Sequence, residues 1–382
     1  MSSLVVFPFK TEDPEVAVAN VRTAASHERV GEVLGVGVEE ETTWQALAAA
    51  APSITAATGT PVNLILQQRI GSRRPGKGDG MNTGLRYFLD TGHDRLHFYD
   101  TDITSFDGSW VTKAEQAADL DYEAVRHYFP RSATDAMITW MVTRTGFAML
   151  FPRSELAWIE QPLGGELLLK RKAAEALVDD PRVAARSDWG IDTLITFSIV
   201  QRRLPMIEVY IAQGKAHKLY GALTDLRTML VECFVAIQDL RGEAVSPGTI
   251  HHIEYPDVVP QSIAEKIGFL LEPSLHLLTE RWTDRQDELL RHFPTPIRDG
   301  LLASRQRPTF RFMQDGLWYD TFGVLLDEFV EGDDDWEELL FRLWLTRVLG
   351  YTAEAALRGY GYALRSLHAM VLDYLRRSAL SG

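Results

Sequence analysis

Residues 94–107 read DRLHFYDTDITSFD, and the rest of the chain is organised around this stretch. Residues 95–99 alternate apolar and polar side chains and are rich in aromatics, which predicts a β-strand. Such a strand delivers Asp100 and Asp102 into a loop at its carboxyl end, the edge where open α/β sheets bind ligands. Carboxylates with this spacing can bind a divalent cation and accept a hydrogen bond from a ribose hydroxyl. A solvated turn is the competing interpretation.

The elements predicted around this strand are those of a nucleotide-binding α/β domain. Short apolar strands alternate with helical stretches over the first 220 residues, which is typical of a parallel sheet. The order resembles half of a Rossmann-type sheet, although the GxGxxG fingerprint is absent. The predicted strands cover residues 4–9, 33–38, 62–67, 126–130 and 206–211, and predicted helices include residues 15–25, 136–150 and 167–178.

The pattern changes at residue 223 to long helices with almost no strand signal. We therefore predict two domains, residues 1–221 and residues 222–382. The second domain is rich in aromatic residues, which suggests a packed helical layer and a subunit interface. Its predicted helices cover residues 223–241, 260–271, 273–292, 313–330, 336–349 and 352–375, and its aromatics include Trp318, Tyr319, Phe322, Trp336, Phe341 and Trp344.

Composition limits the classes of partner. The chain has 382 residues, 46% of them hydrophobic, which is enough for one large or two ordinary cores. Its formal net charge of −14 argues against nucleic acid or an anionic membrane surface as a partner, because both need a basic footprint. The single cysteine, Cys233, lies in an apolar helical pattern and indicates a reducing compartment. With no targeting signal or long apolar run in the sequence, we expect a cytoplasmic protein.

A glycine-rich basic loop follows the third predicted strand, with the sequence GSRRPGKGDGMN at residues 71–82. Glycines let backbone N–H groups approach phosphate oxygens, and Lys77 with Arg73 and Arg74 would supply positive charge. A flexible surface turn is the alternative. A P-loop is disfavoured because Gly78 stands where that motif needs Ser or Thr to hold Mg²⁺.

Three further loops contain candidate ligand groups. Arg131 lies beside the predicted helix start at Thr134 or Asp135, where free N–H groups and the helix dipole favour a carboxylate. An ordinary capped helix with a surface arginine explains that segment equally well. Asp192 lies about one turn beyond the candidate helix caps Ser187 and Asp188, where a helix over residues 193–201 opens, and could face the sheet edge. His217 sits between two lysines in a loop that suits a diphosphate.

Seven stretches of the chain together carry a family resemblance. They are FPFK, RPGKGDGMNT, HFYDTDITSF, RHYFPRSATDAMITWM, WIEQPLGGELL, RSDWGIDTL and GKAHKLYG, and agreement continues in the helical region at LRTMLVECF, HFPTP and DWEELLF. Taken together, these stretches resemble the mannosylglycerate synthase family of retaining glycosyltransferases. The resemblance implies an α/β fold, with a GT-A (Rossmann-like) nucleotide-sugar-binding domain followed by a mostly α-helical C-terminal domain.

The resemblance also implies roles for individual residues, with Asp192, Lys77 and Asp100 in catalysis. Asp102 and His217 would coordinate Mg²⁺ or Mn²⁺ together with donor phosphate oxygens. The implied donor contacts are Pro8, Phe9, Lys10, Thr11, Glu12, Val36, Gln67, Lys77, Asp100, Leu163, Asp192, Lys218 and Tyr220. The implied acceptor contacts are Arg131, Ala136, Met137, Ile138 and Thr139. The family pattern has arginine where this chain has Lys218, which keeps the charge but loses bidentate geometry.

The implied reaction transfers mannose from GDP-mannose to the 2-hydroxyl of D-glycerate and forms 2-O-(α-D-mannosyl)-D-glycerate. Retention requires either a carboxylate nucleophile or attack from the face of the departing phosphate, and we favour the second route. Two alternatives stay open: glucosyl transfer from GDP-glucose or UDP-glucose to glycerate or a related hydroxy acid, and nucleotide-sugar binding without turnover. The resemblance also leads us to expect a homo-oligomer.

Overall fold

A mixed sheet holds the Asp-Thr-Asp sequence at the end of one of its inner strands. The computed structural model describes residues 2–216, 221–246, 250–252, 259–264 and 266–381. Within these residues the sheet has eight strands in the order β3-β2-β1-β4-β6-β5-β7-β8. The strands are β1 (Ser3–Pro8), β2 (Val30–Gly37), β3 (Val62–Leu66), β4 (Arg95–Phe98), β5 (Ala124–Tyr128), β6 (Leu167–Lys170), β7 (Met206–Tyr210) and β8 (Ile250–His252).

Helices connect the strands and make up most of the C-terminal region. The α-helices are α1 (Pro14–Ala25), α2 (Thr42–Thr58), α3 (Lys77–Asp90), α4 (Gly108–Asp119), α5 (Thr145–Leu150), α6 (Arg171–Val178), α7 (Pro181–Ala185), α8 (Ile191–Gln201), α9 (Arg227–Gln238), α10 (Gln261–Ala264), α11 (Leu271–His276), α12 (Asp284–Leu289), α13 (Thr295–Ser304), α14 (Asp315–Glu328), α15 (Asp334–Glu354) and α16 (Tyr360–Ser381). A π-helix covers Thr139–Arg144, and 3-10 helices cover Leu156–Trp158, Leu223–Leu226, Leu277–Thr279, Leu290–His292 and Ala356–Arg358. None of the helices among the described residues combines the length and the apolar character needed to cross a bilayer.

The α/β class is confirmed, but several details of the prediction are wrong. The single helix expected over residues 273–292 is broken into α11, α12 and two 3-10 helices. Residues 167–178 were expected to form one helix, but the first four are β6, which pairs antiparallel with both β4 and β5. The sheet is therefore mixed and not fully parallel. A short strand, β8, also occurs in the C-terminal region and pairs parallel with β7.

The described residues fall into two compact units, and the chain passes between them more than once. The first unit takes its residues from 1–130, 158–218 and 244–259, and the second takes them from 131–157, 219–243 and 260–382. In the second unit, the Trp318 indole donates to the Met141 carbonyl at 3.0 Å, and the Trp140 ring lies 5.1 Å from the His368 ring. Residues 131–157 thus pack with the C-terminal helices. The domain border expected near residue 221 stays a prediction.

The aromatic residues of the C-terminal region belong to the core of the second unit. Trp318, Phe322 and Trp344 are fully buried, and Trp336 and Phe341 are nearly so. Tyr319 is only half-buried, and its hydroxyl lies 2.9 Å from the Ser378 hydroxyl. Burial explains these side chains without a subunit interface, so they give no support to the expected homo-oligomer.

A buried polar network lies beside β4 and makes stability sensitive to acid. Glu115 Oε1 accepts hydrogen bonds from Ser3 Oγ and from His97 Nε2 at 2.8 Å, and Glu115 Oε2 pairs with Arg95. Burial alone would raise the pKa of Glu115, but the bonds from His97 and Ser3 and the charge of Arg95 lower it from 4.5 to about 2.

We expect Glu115→Gln to flatten the acid dependence of stability. A carboxyl with a lowered folded-state pKa stabilises the protein above pH 4.5 and loses that contribution as the pH falls toward about 2. The free energy of unfolding should therefore fall by up to about 3 kcal/mol more in the parent than in the variant over this range. Urea unfolding at steps from pH 5 to pH 2.5 measures the difference. Exposed Glu15→Gln is the control, and identical curves for parent and Glu115→Gln would contradict the prediction.

Candidate functional site

The loop after β4 holds Asp100, Thr101 and Asp102 in a fixed backbone conformation. The Thr101 hydroxyl donates to the Pro8 carbonyl at 2.8 Å, which ties the loop to the end of β1. The buried Asn20 amide donates to the carbonyls of Thr101 at 3.0 Å and Ile103 at 2.9 Å. The expected placement of the two aspartates, directly after a buried strand, is confirmed.

Asp100 is held by two lysines from distant parts of the sequence. Lys77 Nζ lies 2.8 Å from Asp100 Oδ1, and Lys215 Nζ lies 2.5 Å from Asp100 Oδ2. Burial alone would raise the pKa of Asp100, but the charges of Lys215 and Lys77 hold it well below its usual range. Asp100 is therefore an ionised carboxylate with a cation on each oxygen.

Two buried carboxylates complete this ion network. Asp192 Oδ2 lies 3.1 Å from Lys77 Nζ, and Glu166 Oε1 lies 2.5 Å from Lys215 Nζ. Burial raises the pKa of both carboxyl groups, although the lysine charges act in the opposite direction. Asp192 Oδ1 and Glu166 Oε2 have no hydrogen-bond partner in the described part of the chain. Such oxygens can accept hydrogen bonds from the hydroxyl groups of a ligand.

Lys77 contacts the network from the first residue of α3. Its side chain is 12% exposed, and its Nζ lies 5.5 Å from the centre of the Trp189 ring. Burial alone would lower the pKa of Lys77, but the carboxylates of Asp100, Asp192 and Glu166 raise it above its ordinary value. Lys77 is therefore a permanent cation in a site with an excess of carboxylates.

The buried Arg126 side chain holds the turn at residues 161–166 by hydrogen bonds to its carbonyl groups. Arg126 Nη1 donates to the carbonyls of Gln161 at 3.2 Å and Gly164 at 2.6 Å. Arg126 Nη2 donates to Thr196 Oγ1 at 2.7 Å, which connects the turn to α8. β5 and α8 are both buried, so these hydrogen bonds hold the turn against the core. It contains Leu163, one of the predicted donor contacts.

Gly165 lies against the ion pair of Lys77 and Asp100. A Cβ atom at residue 165 would lie 2.4 Å from Asp100 Oδ1 and 2.4 Å from Lys77 Nζ, so a side chain here would force the charged groups or the turn to shift. Glycine lets the backbone approach these charged groups closely without that displacement. Gly165, Glu166 and Lys215 were not among the predicted site residues.

The glycine-rich loop at residues 71–82 packs against the segment at residues 185–188. Added Cβ atoms would lie 2.7 Å from the Ala185 carbonyl at Gly71 and 2.6 Å from the Arg186 carbonyl at Gly78. The buried Asp79 carboxylate accepts hydrogen bonds from the backbone N–H groups of Ile70 at 3.0 Å and Gly71 at 2.8 Å. These contacts hold the loop as an ordered segment that places Lys77 in the ion network.

The predicted donor contacts at the ends of β1, β2 and β3 occupy the same sheet edge. Pro8 ends β1, and the Phe9 ring covers Gly37, where an added Cβ would lie 2.3 Å from the ring. Val36 is fully buried in β2, and the Gln67 N–H donates to the Gly37 carbonyl at 2.9 Å.

The short loop after β1 leaves Lys10 and Thr11 exposed, while Glu12 is half-buried and accepts a hydrogen bond from the Lys10 N–H. Burial raises the pKa of Glu12, and the nearby charges of Asp102 and Asp100 add to this effect. Exposed polar groups therefore lie next to the carboxylates of the β4 loop.

Asp102 has the free acceptor capacity that a cation site needs. Its carboxylate makes no hydrogen bond or ion pair with another described residue, in contrast to Asp100 with its two lysines. Carboxylate oxygens are suitable ligands for Mg²⁺ and Mn²⁺. No cluster of three or more His, Cys, Asp or Glu side chains able to hold a metal occurs in the described ranges. The other predicted ligand, His217, lies outside the described residues, as do Lys218 and Tyr220.

The predicted acceptor segment belongs to the second unit and is internally braced. Arg131 Nε donates to Asp135 Oδ2 at 2.9 Å, and Asp135 Oδ1 accepts from the Ala136 N–H at 2.7 Å. Ala136 has a φ of 57°, a conformation that costs free energy for a residue with a Cβ. The helix expected over residues 136–150 is interrupted by the π-helix, which begins at Thr139. Met137 and Ile138, just before it, are nearly fully buried.

Comparisons with known proteins show the family of the chain. A model of the mannosylglycerate synthase GT domain matches residues 3–239, and a model of the mannosylglycerate synthase C-terminal domain matches residues 263–371. A mannosylglycerate synthase of Rhodothermus marinus is 59% identical over 381 residues, which cover 100% of this chain and 96% of the relative. A mannosylglycerate synthase of Selaginella moellendorffii is 54% identical over 383 residues, which cover 99% of this chain and 90% of the relative.

Solved structures give a more distant likeness. A crystal structure of glucosyl-3-phosphoglycerate synthase from Mycobacterium tuberculosis in complex with Mn²⁺, uridine-diphosphate and glucosyl-3-phosphoglycerate has a TM-score of 0.49 and 18% identity. The match covers 64% of this chain and 81% of the chain in that structure. The resemblance carried by the seven sequence stretches is confirmed by the two family models and the full-length relatives. The chain is a glycosyltransferase with a GT-A-type α/β domain, and it belongs to the mannosylglycerate synthase family.

Proposed function

We propose that this glycosyltransferase moves mannose from GDP-mannose to the 2-hydroxyl of D-glycerate with retention of configuration, and that it depends on a divalent cation. The observation that carries the proposal is the match of both family models together with relatives that are named for the product, mannosylglycerate. The buried network at the β4 edge supports it, because lysines and unpartnered carboxylate oxygens are the groups that a sugar diphosphate needs.

In this proposal the sheet edge binds the nucleotide. Residues 8–12, Val36 and Gln67 hold the nucleoside, and Lys77 turns from Asp100 and Asp192 toward the diphosphate. Leu163 supplies main-chain contacts to the sugar, with Lys218 and Tyr220 closing over the phosphates. This exchange of partners by Lys77 needs no new positive charge, because the lysine is already in place and ionised.

Asp102 and His217 would hold the cation, since Asp102 keeps its carboxylate uncompensated by other described residues. When bound, Mg²⁺ or Mn²⁺ would neutralise negative charge on the diphosphate.

Asp100 and Asp192 then meet the sugar carbon as it acquires positive charge. Carboxylates at this place stabilise an oxocarbenium-like transition state. Attack from the face of the departing phosphate gives retention, and a phosphate oxygen accepts the proton of the glycerate hydroxyl. Asp192 is the group best placed to orient the sugar, because its Oδ1 has no other described hydrogen-bond partner.

Arg131 and residues 136–139 bind the acceptor in this proposal. The Arg131 guanidinium exchanges the Asp135 carboxylate for that of glycerate, which offers the same two-oxygen geometry. The cytoplasmic location and the homo-oligomeric state stay predictions, the first from the sequence and the second from the family resemblance.

An activity matrix tests the proposal. Purified protein is assayed for nucleotide release with GDP-mannose, GDP-glucose or UDP-glucose as donor, with and without D-glycerate, and with Mn²⁺, Mg²⁺ or a chelator. The expected result is GDP release that requires GDP-mannose, glycerate and the metal together, and a product whose anomeric NMR signals show retention. Faster nucleotide release from a glucose donor would change the assigned sugar. Nucleotide release that is the same with and without D-glycerate would contradict the assignment of glycerate as the acceptor.

A further inference from the structure

The proposed reaction gives no role to Glu166 and Lys215, although both side chains are buried next to Asp100. Glu166 is fully buried, and the Lys215 side chain is 9% exposed. Lys215 Nζ lies 2.5 Å from Asp100 Oδ2 and 2.5 Å from Glu166 Oε1, so it bridges the two carboxylates. A flexible lysine held by two carboxylates in this way has a defined position.

Glu166 is itself fixed by the core of the sheet. Its carbonyl accepts a hydrogen bond from the His127 N–H of β5 at 3.2 Å. The preceding turn is held by Arg126, whose Nη1 lies 2.6 Å from the Gly164 carbonyl. A continuous series of contacts therefore leads from β5 through Glu166 to Lys215 and then to Asp100.

The importance of these contacts follows from the two lysines that hold Asp100. Asp100 has one oxygen on Lys77 and the other on Lys215. When Lys77 turns toward a diphosphate, Asp100 loses the contact at Oδ1. Lys215 then remains as its cation, and Glu166 prevents Lys215 from following Lys77 toward the phosphates.

We propose, on the basis of the proposed function, that Glu166 and Lys215 are positioning residues for the transfer: Glu166 anchors Lys215, and Lys215 holds Asp100 in place while Lys77 binds the donor diphosphate. They act through Asp100 and do not themselves need to touch the sugar. This role differs from simple charge balance in the core, which requires only that the buried charges cancel.

Two variants separate positioning from charge balance. Lys215→Met leaves the Glu166 carboxylate buried without its cation, so it loses stability as well as the anchor on Asp100. The double variant Glu166→Gln/Lys215→Met removes one charge of each sign and so restores the balance, but it does not restore the anchor. We expect Lys215→Met to lower kcat on the order of 10- to 100-fold, with a smaller change in KM, because Asp100 is displaced from the reacting sugar.

In the double variant, Tm should recover most of the way to the parent value while kcat stays at the level of the single variant. Recovery of kcat together with Tm would overturn the inference, and so would a parental kcat in Lys215→Met. If the parent binds GDP-mannose but transfers no mannose, the result contradicts the proposed function without deciding the inference about Glu166 and Lys215. The Kd for GDP-mannose, measured by calorimetry on the same three proteins, then decides the inference, with weaker binding expected in both variants.

Discussion

Replacement of Lys77 by alanine is expected to lower kcat for sugar transfer by about 100- to 1,000-fold, the loss typical when one preorganised charge is removed from a transition state. Departure of a nucleoside diphosphate builds negative charge on its bridging oxygen, and Lys77 is a permanent cation at this edge of the sheet. The substitution also leaves Asp192 without the lysine 3.1 Å from its Oδ2. Both effects act on the same reacting centre.

Steady-state kcat with saturating donor and acceptor measures this effect, and Tm reports any loss of folded protein. Lys113→Ala is a matched control, because Lys113 belongs to the same unit and its Nζ donates one hydrogen bond to the Tyr210 carbonyl at 2.9 Å. The control should keep the parental kcat. A loss below tenfold in folded Lys77→Ala would show that the charge of Lys77 does not act in the rate-limiting step.

Gly165→Ala is the second change with a large expected effect, although it adds a single methyl group. That methyl would lie 2.4 Å from both Asp100 Oδ1 and Lys77 Nζ, so the charged pair or the turn must move. The turn is held by Arg126 through the Gly164 carbonyl, which leaves the ion pair as the part that yields. A displacement near 1 Å at a reacting centre costs about 100-fold in rate.

The measurement is kcat, compared with the Tm of the same protein. Gly92→Ala is the control, since a Cβ at residue 92 meets no atom within 4 Å. Parental kcat in Gly165→Ala would mean that the turn moves away from Asp100 without consequence for the reaction.

The sheet and the position of its aspartates could be predicted because their signal is local. The alternation in residues 95–99 marks one strand, and parallel strands place their carboxyl ends at one edge. The same argument brings Lys77 and Asp100 together, and their ion pair measures 2.8 Å. Asp192 follows no parallel strand and was expected only to face the sheet edge, and its Oδ2 lies 3.1 Å from Lys77 Nζ. Their roles in catalysis stay predictions.

β6 could not be predicted in the same way. Its four residues, LLLK, show no alternation because three of the four are fully or almost fully buried, and α6 begins at the next residue. A short apolar run joined directly to a helix has the same pattern as the first turn of that helix. Only the neighbouring strands β4 and β5 distinguish the two possibilities, and their proximity is a tertiary property.

Glu166 and Lys215 could not be predicted as members of the ion network either. Glu166 and Lys215 are 49 residues apart, and nothing in their local patterns pairs one with the other. The pair of glycines before Glu166 was a signal of close backbone approach, but it did not say what was approached. The glycine-rich loop gave a similar ambiguity, because Gly71, Gly76 and Gly78 pack against residues 185–188 while Lys77 reaches the ion network.

The assignment of residues 131–157 to the second unit limits how members of this family can recombine. A hybrid gene that joined the first 221 residues of this chain to the helices of a distant relative would carry this segment into foreign surroundings. Trp140, Met141 and Gly146 would then face replacements for His368, Trp318 and Ile237. We therefore expect a folded hybrid only when residues 131–157 and the C-terminal helices come from the same parent.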